Sequence, residues 1–301
     1  MSAASRCGSR RRSSRPARGR RGTEETQAIK FTGGSSGRPK GVLQPYRAWL
    51  TGATCMIHGL GLGPRDRYLI AAPLTHGTSF YVTPILAVGG TMVLGEGGLN
   101  PAAVLDAFTE RAITTTFIPP TVIYMMLAHP RLNDFDYSSL DYLIYGAAPM
   151  SVDKLKQAIK AFGPVLTQLY GQAEAPMMCT VMLPFEHVRW LETGAQHRLA
   201  SCGRPCLFTD LAIMDESGNL LGPDERGEIV VRGNLVMAGY YKNPEASATV
   251  SAHGWHHTGD IGAIDQAGYV YILDRKNDMI ISGGFNIYPG EIEQVLWALP
   301  E

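Results

Sequence analysis

A loop rich in glycine and hydroxyl groups lies near the start of the chain, at residues 31–41, with the sequence FTGGSSGRPKG. Glycines let backbone N–H groups turn toward phosphate oxygens, hydroxyls add hydrogen-bond donors, and Lys40 supplies countercharge. The order Pro39-Lys40-Gly41 differs from a Walker A loop, in which Gly-Lys-Ser/Thr precedes a helix. The alternative is a flexible Gly/Ser linker, but the cationic ending and the strand-like flank at 28–32 favour a phosphate site.

Two other clusters contain residue types that can bind metals. Cys202 and Cys206 have no histidine at a spacing typical of zinc sites. Three histidines, at positions 253, 256 and 257, surround Trp255. We expect neither cluster to bind a metal ion.

Four further motifs follow the loop along the chain. They are Tyr170 to Glu174 (YGQAE), Gly227-Glu228 with Gly239-Tyr240, Gly254 to Asp260 (GWHHTGD), and Asp274 to Asp278 (DRKND) with Gly283 to Glu293. Together with the loop, and in the same order, they resemble the signature motifs of the adenylate-forming superfamily. That superfamily includes acyl-CoA synthetases, aryl-CoA ligases, luciferases and amino-acid adenylation domains. The resemblance covers residues 28–301.

This resemblance implies an acyl-CoA synthetase, an acid–thiol ligase that uses ATP, Mg²⁺ and coenzyme A. In the first step a carboxylate attacks the α-phosphate of ATP, which gives an acyl-adenylate and pyrophosphate. In the second step the thiol of coenzyme A displaces AMP. Such a reaction needs countercharge on the triphosphate, a divalent cation and fixed placement of adenosine.

The resemblance also assigns roles to individual residues. The β- and γ-phosphates would contact Thr32, Gly33, Gly34, Ser35, Ser36, Gly37 and Lys40. The rest of the nucleotide would contact Gly146, Ala147, Ala148, Tyr170, Gly171, Gln172, Asp260, Ile272 and Arg275. Tyr170 would face adenine, with a core position as the alternative, and Asp260 would accept hydrogen bonds from the ribose hydroxyls. Glu174 is implied as a catalytic residue and Mg²⁺ ligand, where an isolated glutamate would be interpreted as a surface charge.

Other implied roles concern the acid, coenzyme A and domain movement. His76 resembles a catalytic histidine near the substrate carboxylate, with a satisfied core histidine as the alternative. Asp274 matches a hinge residue, and Gly283 and Gly284 match a turn beside the pantetheine arm of coenzyme A. Residues 73–80 contain no Asp to pair with a substrate ammonium group, which favours a fatty or aromatic acid over an amino acid. Its acyl pocket would be bordered by Ala147, Gly171, Pro176, Met177 and Met178. The three histidines near Trp255 would lie on a loop beside Asp260.

The chain departs from the family pattern in composition and in length. Ala173 stands where a threonine is usual, Asn277 where a lysine is frequent, and Gly33 where a serine is common. The substantial region that usually precedes the loop, and a late lysine that contacts the carboxylate and α-phosphate, are both absent from these 301 residues. We therefore expect weak ATP binding and little adenylation by this chain.

The elements that must position these residues follow an α/β pattern. Strand-like runs at 68–72, 91–94, 114–118, 142–145 and 165–170 alternate with helical patterns, of which two begin at Asn100-Pro101 and Ser151. This alternation predicts a mainly parallel sheet covered by helices. Beyond residue 200 short strands at 211–214, 228–231 and 269–273 predict a β-rich subdomain.

These patterns and the resemblance together imply three parts of the chain. We expect residues 1–22 to be a disordered leader rich in Arg and Ser. We expect 23–273 to be an AMP-binding large domain that is incomplete at its N-terminus, and 274–301 to contain the hinge and the start of a small α+β C-terminal domain. The uncharged run at 68–95 is interrupted by prolines and glycines, so we interpret it as several short elements and expect no transmembrane segment.

Charge and cysteine content limit the function classes. The chain has 27 basic and 27 acidic residues, but eight of the arginines lie in residues 1–22; removing those eight leaves 19 basic against 27 acidic in residues 23–301. We therefore expect no nucleic-acid binding by the folded part. Five scattered cysteines are too few for a disulfide framework and favour a reducing, cytoplasmic location, whereas no pattern indicates an oligomeric state.

Three alternatives to an acyl-CoA synthetase remain open at this point. One is a non-catalytic nucleotide-binding fragment or pseudoenzyme. Another is a luciferase-like or aryl-adenylating relative. A nucleic-acid-binding protein would rest only on the arginine-rich leader.

Overall fold

Strands and helices alternate through the first two thirds of the chain, and antiparallel strands follow. The computed structural model describes residues 22–32, 39–276, 278, 280–282, 285–287, 289, 292 and 296. Its helices are α1 (Tyr46–Leu60), α2 (Ser79–Ala87), α3 (Pro101–Arg111), α4 (Pro120–Leu127), α5 (Val152–Phe162), α6 (Pro184–Glu192) and α7 (Pro244–Val250). Its strands are β1 (Thr26–Thr32), β2 (Lys40–Pro45), β3 (Arg67–Ile70), β4 (Thr91–Leu94), β5 (Thr115–Phe117), β6 (Tyr142–Tyr145), β7 (Leu166–Gln172), β8 (Ala175–Met182), β9 (Arg204–Pro205), β10 (Thr209–Met214), β11 (Gly227–Gly233), β12 (Gly239–Tyr240), β13 (His256–Ile264), β14 (Val270–Arg275), β15 (Ile280–Ser282) and β16 (Phe285–Ile287).

The largest sheet has seven strands in the order β4-β3-β5-β6-β7-β8-β9. The first five strands are parallel, and β8 and β9 add antiparallel pairs at one edge. Residues along β6 alternate between two cores: Leu143 and Tyr145 pack with α3, α4 and α5, whereas Ile144 packs with α1 and α2. Helices therefore cover both faces of the parallel strands, which confirms the predicted α/β class.

Two predicted helix starts are confirmed by their capping contacts. The Oδ1 atom of Asn100 accepts hydrogen bonds from the backbone N–H groups of Ala102 (3.0 Å) and Ala103 (3.4 Å), and Pro101 occupies the first turn of α3. The Oγ atom of Ser151 accepts from the N–H of Lys154 at 3.2 Å. Both contacts satisfy donors that the first turn of a helix cannot satisfy internally.

Removal of the Asn100 cap gives a simple test of α3. We expect Asn100→Ala to lower the free energy of unfolding by about 1 kcal/mol, because two N–H groups lose their acceptor. Urea unfolding measures the loss. Asn133→Ala is the control, since Asn133 is exposed, and it should change the free energy by less than about 0.5 kcal/mol. Equal losses in the two variants would contradict the capping role.

A second, antiparallel sheet follows, with the order β10-β11-β13-β14. It contains the three strands predicted beyond residue 200 together with β13, which the sequence did not predict. His256 and His257 lie in β13, so their predicted position on a loop is wrong. Pairing with β11 on one side and β14 on the other holds this polar segment extended.

A third sheet has the order β1-β2-β12. In it the ends of the predicted phosphate loop face each other, because Thr32 and Lys40 are partners in the antiparallel register of β1 and β2. The predicted loop therefore begins and ends on a hairpin. Its residues 33–38 lie outside the described part of the chain.

The uncharged stretch at 68–95 forms β3, α2 and β4. This confirms its interpretation as several short elements. Among the helices of the described residues, none is long and apolar enough to cross a membrane.

Candidate active site

A cleft of about 1030 Å³ lies at the carboxyl ends of the parallel strands. Its walls include Phe117 at the end of β5, Ala147 just after β6, and Gly171 and Gln172 at the end of β7. Lys30 on β1 and the segment 72–80 line it as well. Crevices at this edge are where open α/β sheets bind ligands. The cleft is therefore the principal candidate site.

Asp260 and its two partners form a polar cluster beside this edge, in which Asp260 and Tyr170 are buried and Arg275 is exposed. Tyr170 Oη donates to Asp260 Oδ2 at 2.6 Å, and Arg275 Nε lies 2.9 Å from Asp260 Oδ1. Arg275 is brought there by the register of β13 and β14, in which it is the partner of Asp260. Asp260 is only 2% exposed, and burial raises the pKa of its carboxyl group although Arg275 and Tyr170 act in the opposite direction.

Tyr170 lies in the protein core, which is the alternative to its predicted contact with adenine. Its side chain is 8% exposed and packs in the core that also contains Leu169 and Ile144. Burial, followed by the charge of Asp260, raises the pKa of Tyr170 well above its usual value, so the hydroxyl stays a donor. Contact with adenine stays a prediction.

Tyr240 joins two other predicted residues. Its hydroxyl donates to Glu174 Oε1 at 2.8 Å, and the Nζ atom of Lys40 lies 5.1 Å from the centre of its ring. Burial, and then the charge of Glu174, raise the pKa of Tyr240. Glu174 is 8% exposed, so the surface-charge interpretation does not apply. One tyrosine thus contacts a cation over its ring and a carboxylate at its hydroxyl.

The donor set around Glu174 fits a metal that is shared with phosphate. Within the described ranges, no group of three or more His, Cys, Asp and Glu side chains could hold a metal ion. Glu174 therefore offers one carboxylate, of which Oε1 is already bound by Tyr240. Mg²⁺ commonly takes one or two carboxylates and completes its shell with substrate phosphates and water. Glu174 is suited to a Mg²⁺ that arrives with ATP.

The turn after β6 and the end of β7 are both closely packed. A Cβ atom on Gly146 would lie 2.5 Å from the carbonyl oxygen of Leu169, and one on Gly171 would lie 2.4 Å from the backbone nitrogen of Met177. Ala147 (φ 66°) and Met177 (φ 58°) adopt left-handed backbone conformations that L-residues rarely adopt. Both line the cleft, so two strained backbone positions lie at its wall. Ala148 follows Ala147 and is exposed, and Pro176 also lines the cleft, whereas Met178 is buried in the core behind it.

His76 lies on the exposed part of the segment between β3 and α2 and lines the cleft. Its Nδ1 atom is 3.0 Å from Thr75 Oγ1. The alternative of a core histidine is therefore wrong. A role beside the substrate carboxylate stays a prediction.

The other described candidates lie on β14 and β7. Ile272 is half-buried and packs against the core, and Asp274 Oδ1 accepts from the backbone N–H of Arg275 at 2.7 Å. Gln172 Nε2 donates to the carbonyl oxygen of Thr258 at 3.1 Å. The remaining candidates lie outside the described residues: Gly33, Gly34, Ser35, Ser36, Gly37, Gly283 and Gly284.

A sequence model of the family described as AMP-binding enzyme matches residues 7–241. The chain belongs to this family. Among curated relatives of the chain, the medium/long-chain-fatty-acid–CoA ligase FadD8 of Mycobacterium tuberculosis is 37% identical over 273 residues, which cover 91% of this chain and 46% of the relative. A feruloyl-CoA synthase of an Amycolatopsis species is 37% identical over 281 residues, which cover 93% of this chain and 55% of the relative.

Solved structures also match nearly the whole of this chain over about half of their own length. The amide bond synthetase McbA from Marinactinospora thermotolerans has a TM-score of 0.86 at 33% identity. The match covers 95% of this chain and 56% of that structure. The O-succinylbenzoate coenzyme A synthetase MenE from Bacillus subtilis, in complex with AMP, has a TM-score of 0.81 at 30% identity, over 93% of this chain and 55% of that structure. The chain thus spans about half the length of the relatives it matches.

Two residues of the site were missed at the sequence level. Glu228 bonds His257 Nδ1, the backbone N–H of Gly259 and Lys276 Nζ, each at 3.0 Å. Its position in the motif Gly227-Glu228 was a usable signal, but no role followed from it. The other missed residue is Lys30, which lies in β1, the strand that leads into the phosphate loop.

Proposed function

We propose that the chain is the nucleotide- and acid-binding part of an AMP-forming acid–thiol ligase. The observation that carries this proposal is the convergence of motif residues from distant parts of the chain: Tyr170 and Arg275 meet at Asp260, while Lys40 and Glu174 meet at Tyr240. Both groups belong to a chain of the AMP-binding enzyme family, whose relatives include several named CoA ligases.

In the first proposed step, a carboxylate oxygen of the acid attacks the α-phosphorus of ATP. The bond between that phosphorus and the bridging oxygen breaks, pyrophosphate leaves, and no proton is transferred. Thr32 and Lys40 bind the phosphates from the two ends of the loop, and Glu174 holds a Mg²⁺ ion that offsets their charge. Asp260 and Arg275 fix the ribose, which restricts the α-phosphate to one position.

In the second proposed step, the thiol of coenzyme A gives up its proton to solvent and its sulfur attacks the acyl carbon. The bond between that carbon and the phosphate oxygen breaks, and AMP leaves. His76 contacts the substrate carboxylate at the cleft before the first step. Asp274 is the hinge between a large domain at residues 23–273 and the start of a small domain at 274–301. The cytoplasmic location predicted from the cysteines stays a prediction.

The acid is proposed to be fatty or aromatic because the cleft wall is largely apolar. Trp49, Phe80, Phe117 and Met177 contribute large side chains to it. Burial of a hydrocarbon chain or ring against such a wall favours binding, whereas the described residues of the wall include no carboxylate that could pair with an ammonium group.

Exchange of labelled pyrophosphate into ATP tests the first step. We expect weak exchange, in keeping with the little adenylation expected of this chain. The exchange should depend on an added fatty or aromatic acid and should be lost in Glu174→Gln, because the phosphate charge is then less well offset. The assay uses the 301-residue chain with octanoate, 3-phenylpropanoate and glycine as acids, and a fluorescent ATP analogue measures nucleotide binding separately. Exchange with glycine alone, or exchange that is unchanged in Glu174→Gln, would contradict the proposal.

A further inference from the structure

Lys30 differs from the other residues of the cleft in its charge. Among the described residues that line the cleft, Lys30 is the only Lys or Arg, His76 is the only histidine, and no Asp or Glu occurs. The Nζ atom of Lys30 lies 4.9 Å from the ring centre of Phe80 and 5.8 Å from that of Trp49. The cleft therefore presents one positive charge on an apolar, aromatic wall.

Two of the three N–H donors of Lys30 are used by the protein. They bond the carbonyl oxygen of His76, at 2.7 Å, and Ser79 Oγ. The third donor has no hydrogen-bond partner among the described residues that line the cleft. These contacts fix the ammonium group at the wall while leaving its charge uncompensated by a carboxylate. Burial lowers the pKa of Lys30 to about 8, and no described carboxylate opposes this effect.

The position of Lys30 on β1 relates it to the phosphate loop. Residues 28, 30 and 32 form the inward face of β1, while their neighbours are exposed. Lys30 and Thr32 therefore point to the same side, about 7 Å apart along the strand. A group bound to Lys30 lies beside the proposed phosphate site and beside His76. The reacting carboxylate must lie there in order to attack the α-phosphorus.

We infer that Lys30 binds the reacting carboxylate of the acid substrate. This inference rests on the proposed function. The carboxylate needs a countercharge because it must approach an anionic triphosphate, and the lysine supplies one without a competing acidic side chain. Lys30 contributes charge and a hydrogen bond; it neither gives up a proton nor takes one during attack on the α-phosphorus.

The test compares a carboxylate with its neutral primary amide on the same apolar body. The probes are octanoate with octanamide and 3-phenylpropanoate with 3-phenylpropanamide, and binding to the 301-residue chain is measured by calorimetry at about pH 6.5, where a lysine of depressed pKa is still charged. We expect the chain to bind the better carboxylate about 10-fold more tightly than its amide. Lys30→Met should bring this ratio close to one, Lys30→Arg should retain most of it, and Lys160→Met, an exposed lysine on α5, should match the unmodified chain.

The pH dependence is a second readout that needs no variant. The preference for carboxylate should be greatest between about pH 6 and 7 and should fall as the pH rises through about 8, since Lys30 then loses its charge. In Lys30→Arg the guanidinium stays charged, so the fall should disappear. A fall that persists in Lys30→Arg would show that a group other than Lys30 causes it and would contradict the inference.

The outcomes separate this inference from the function on which it rests. If the ATP analogue binds but no carboxylate binds better than its amide, the role of Lys30 is wrong and nucleotide binding stands. A carboxylate preference that depends on Lys30 in a chain that does not bind ATP would overturn the proposed function alone. If Lys30→Met lowers the melting temperature and weakens carboxylate and amide equally, Lys30 only braces the segment that contains His76, and the inference is wrong.

Discussion

We expect Asp260→Asn to lower the affinity of the chain for ATP by about 30-fold, because the ribose hydroxyls that we propose bind Asp260 would lose a charged acceptor. The fold should tolerate the change. The amide oxygen can accept from Arg275, and the amide nitrogen can donate to Tyr170, whose hydroxyl rotates to accept. Titration with a fluorescent ATP analogue measures the affinity, and urea unfolding measures the stability.

The raised pKa of Asp260 also predicts how the stability of Asp260→Asn, relative to the unmodified chain, changes with pH. Burial raises the pKa of Asp260 in the folded chain, so the folded state binds a proton more readily than the unfolded chain does. The stability associated with this group is therefore complete below its unfolded pKa of about 3.9 and is lost as the pH rises through the folded value. Asp260→Asn does not titrate, and its stability relative to the unmodified chain should increase over that range.

Asp210 provides a matched control for Asp260. It also pairs with an arginine, Arg232, at 2.9 Å, but both side chains are more than half exposed. Asp210→Asn should leave ATP affinity unchanged. A loss of affinity that is equal in the two variants, or absent from both, would show that Asp260 does not bind the nucleotide.

The second large effect is structural and concerns Gly171. We expect Gly171→Ala to destabilise the chain by about 3 kcal/mol or more, because the added Cβ overlaps backbone atoms rather than flexible side chains. It would lie 2.4 Å from the nitrogen of Met177 and 2.8 Å from the carbonyl oxygen of Ala175. The register of β7 and β8 shifts between Tyr170 and Gln172, so Gly171 marks an irregularity at the cleft. Thermal and urea unfolding measure the loss.

Gly59→Ala is the matched control. Gly59 lies in α1, and a Cβ atom there would meet no atom within 4 Å. Alanine loses less backbone entropy than glycine when a helix forms, so this variant should gain about 0.5 to 1 kcal/mol. If both variants gain stability, the close packing at Gly171 is not rigid and the prediction fails.

The α/β part of the fold could be predicted because its signals are local. Apolar runs at 68–72 and 142–145 are short and bounded by turn residues, and Asn100 and Ser151 mark helix starts through their own side chains. The residues that specify each of these elements lie within the element or directly beside it in the sequence. The parallel arrangement then follows from the alternation of strands and helices.

Strand β13 could not be predicted in this way. Its first half, from His256 to Asp260, is polar and contains Gly259 at φ 73°, so it has neither an apolar run nor a regular alternation. It is extended because β11 and β14 pair with it on both sides. Tertiary pairing here overrides local propensity.

The candidate site was predictable only in part. Tyr170 and Asp260 are 90 residues apart in sequence, and no periodicity brings them together; a family motif named both, but their hydrogen bond to each other needed the structure. Lys30 was missed because a lysine in a strand at the start of a chain is usually solvated. Its importance arises from the acid-free wall that other elements build around it.

The bond between Tyr170 and Asp260 also connects the seven-stranded sheet to the antiparallel sheet, as does the bond from Gln172 to Thr258. The residues proposed to hold the nucleotide are thus the same residues that fasten the two halves of the chain. Natural selection for a stable fold alone is sufficient to preserve them. A descendant that had abandoned the chemistry would keep this signature for as long as it kept its shape.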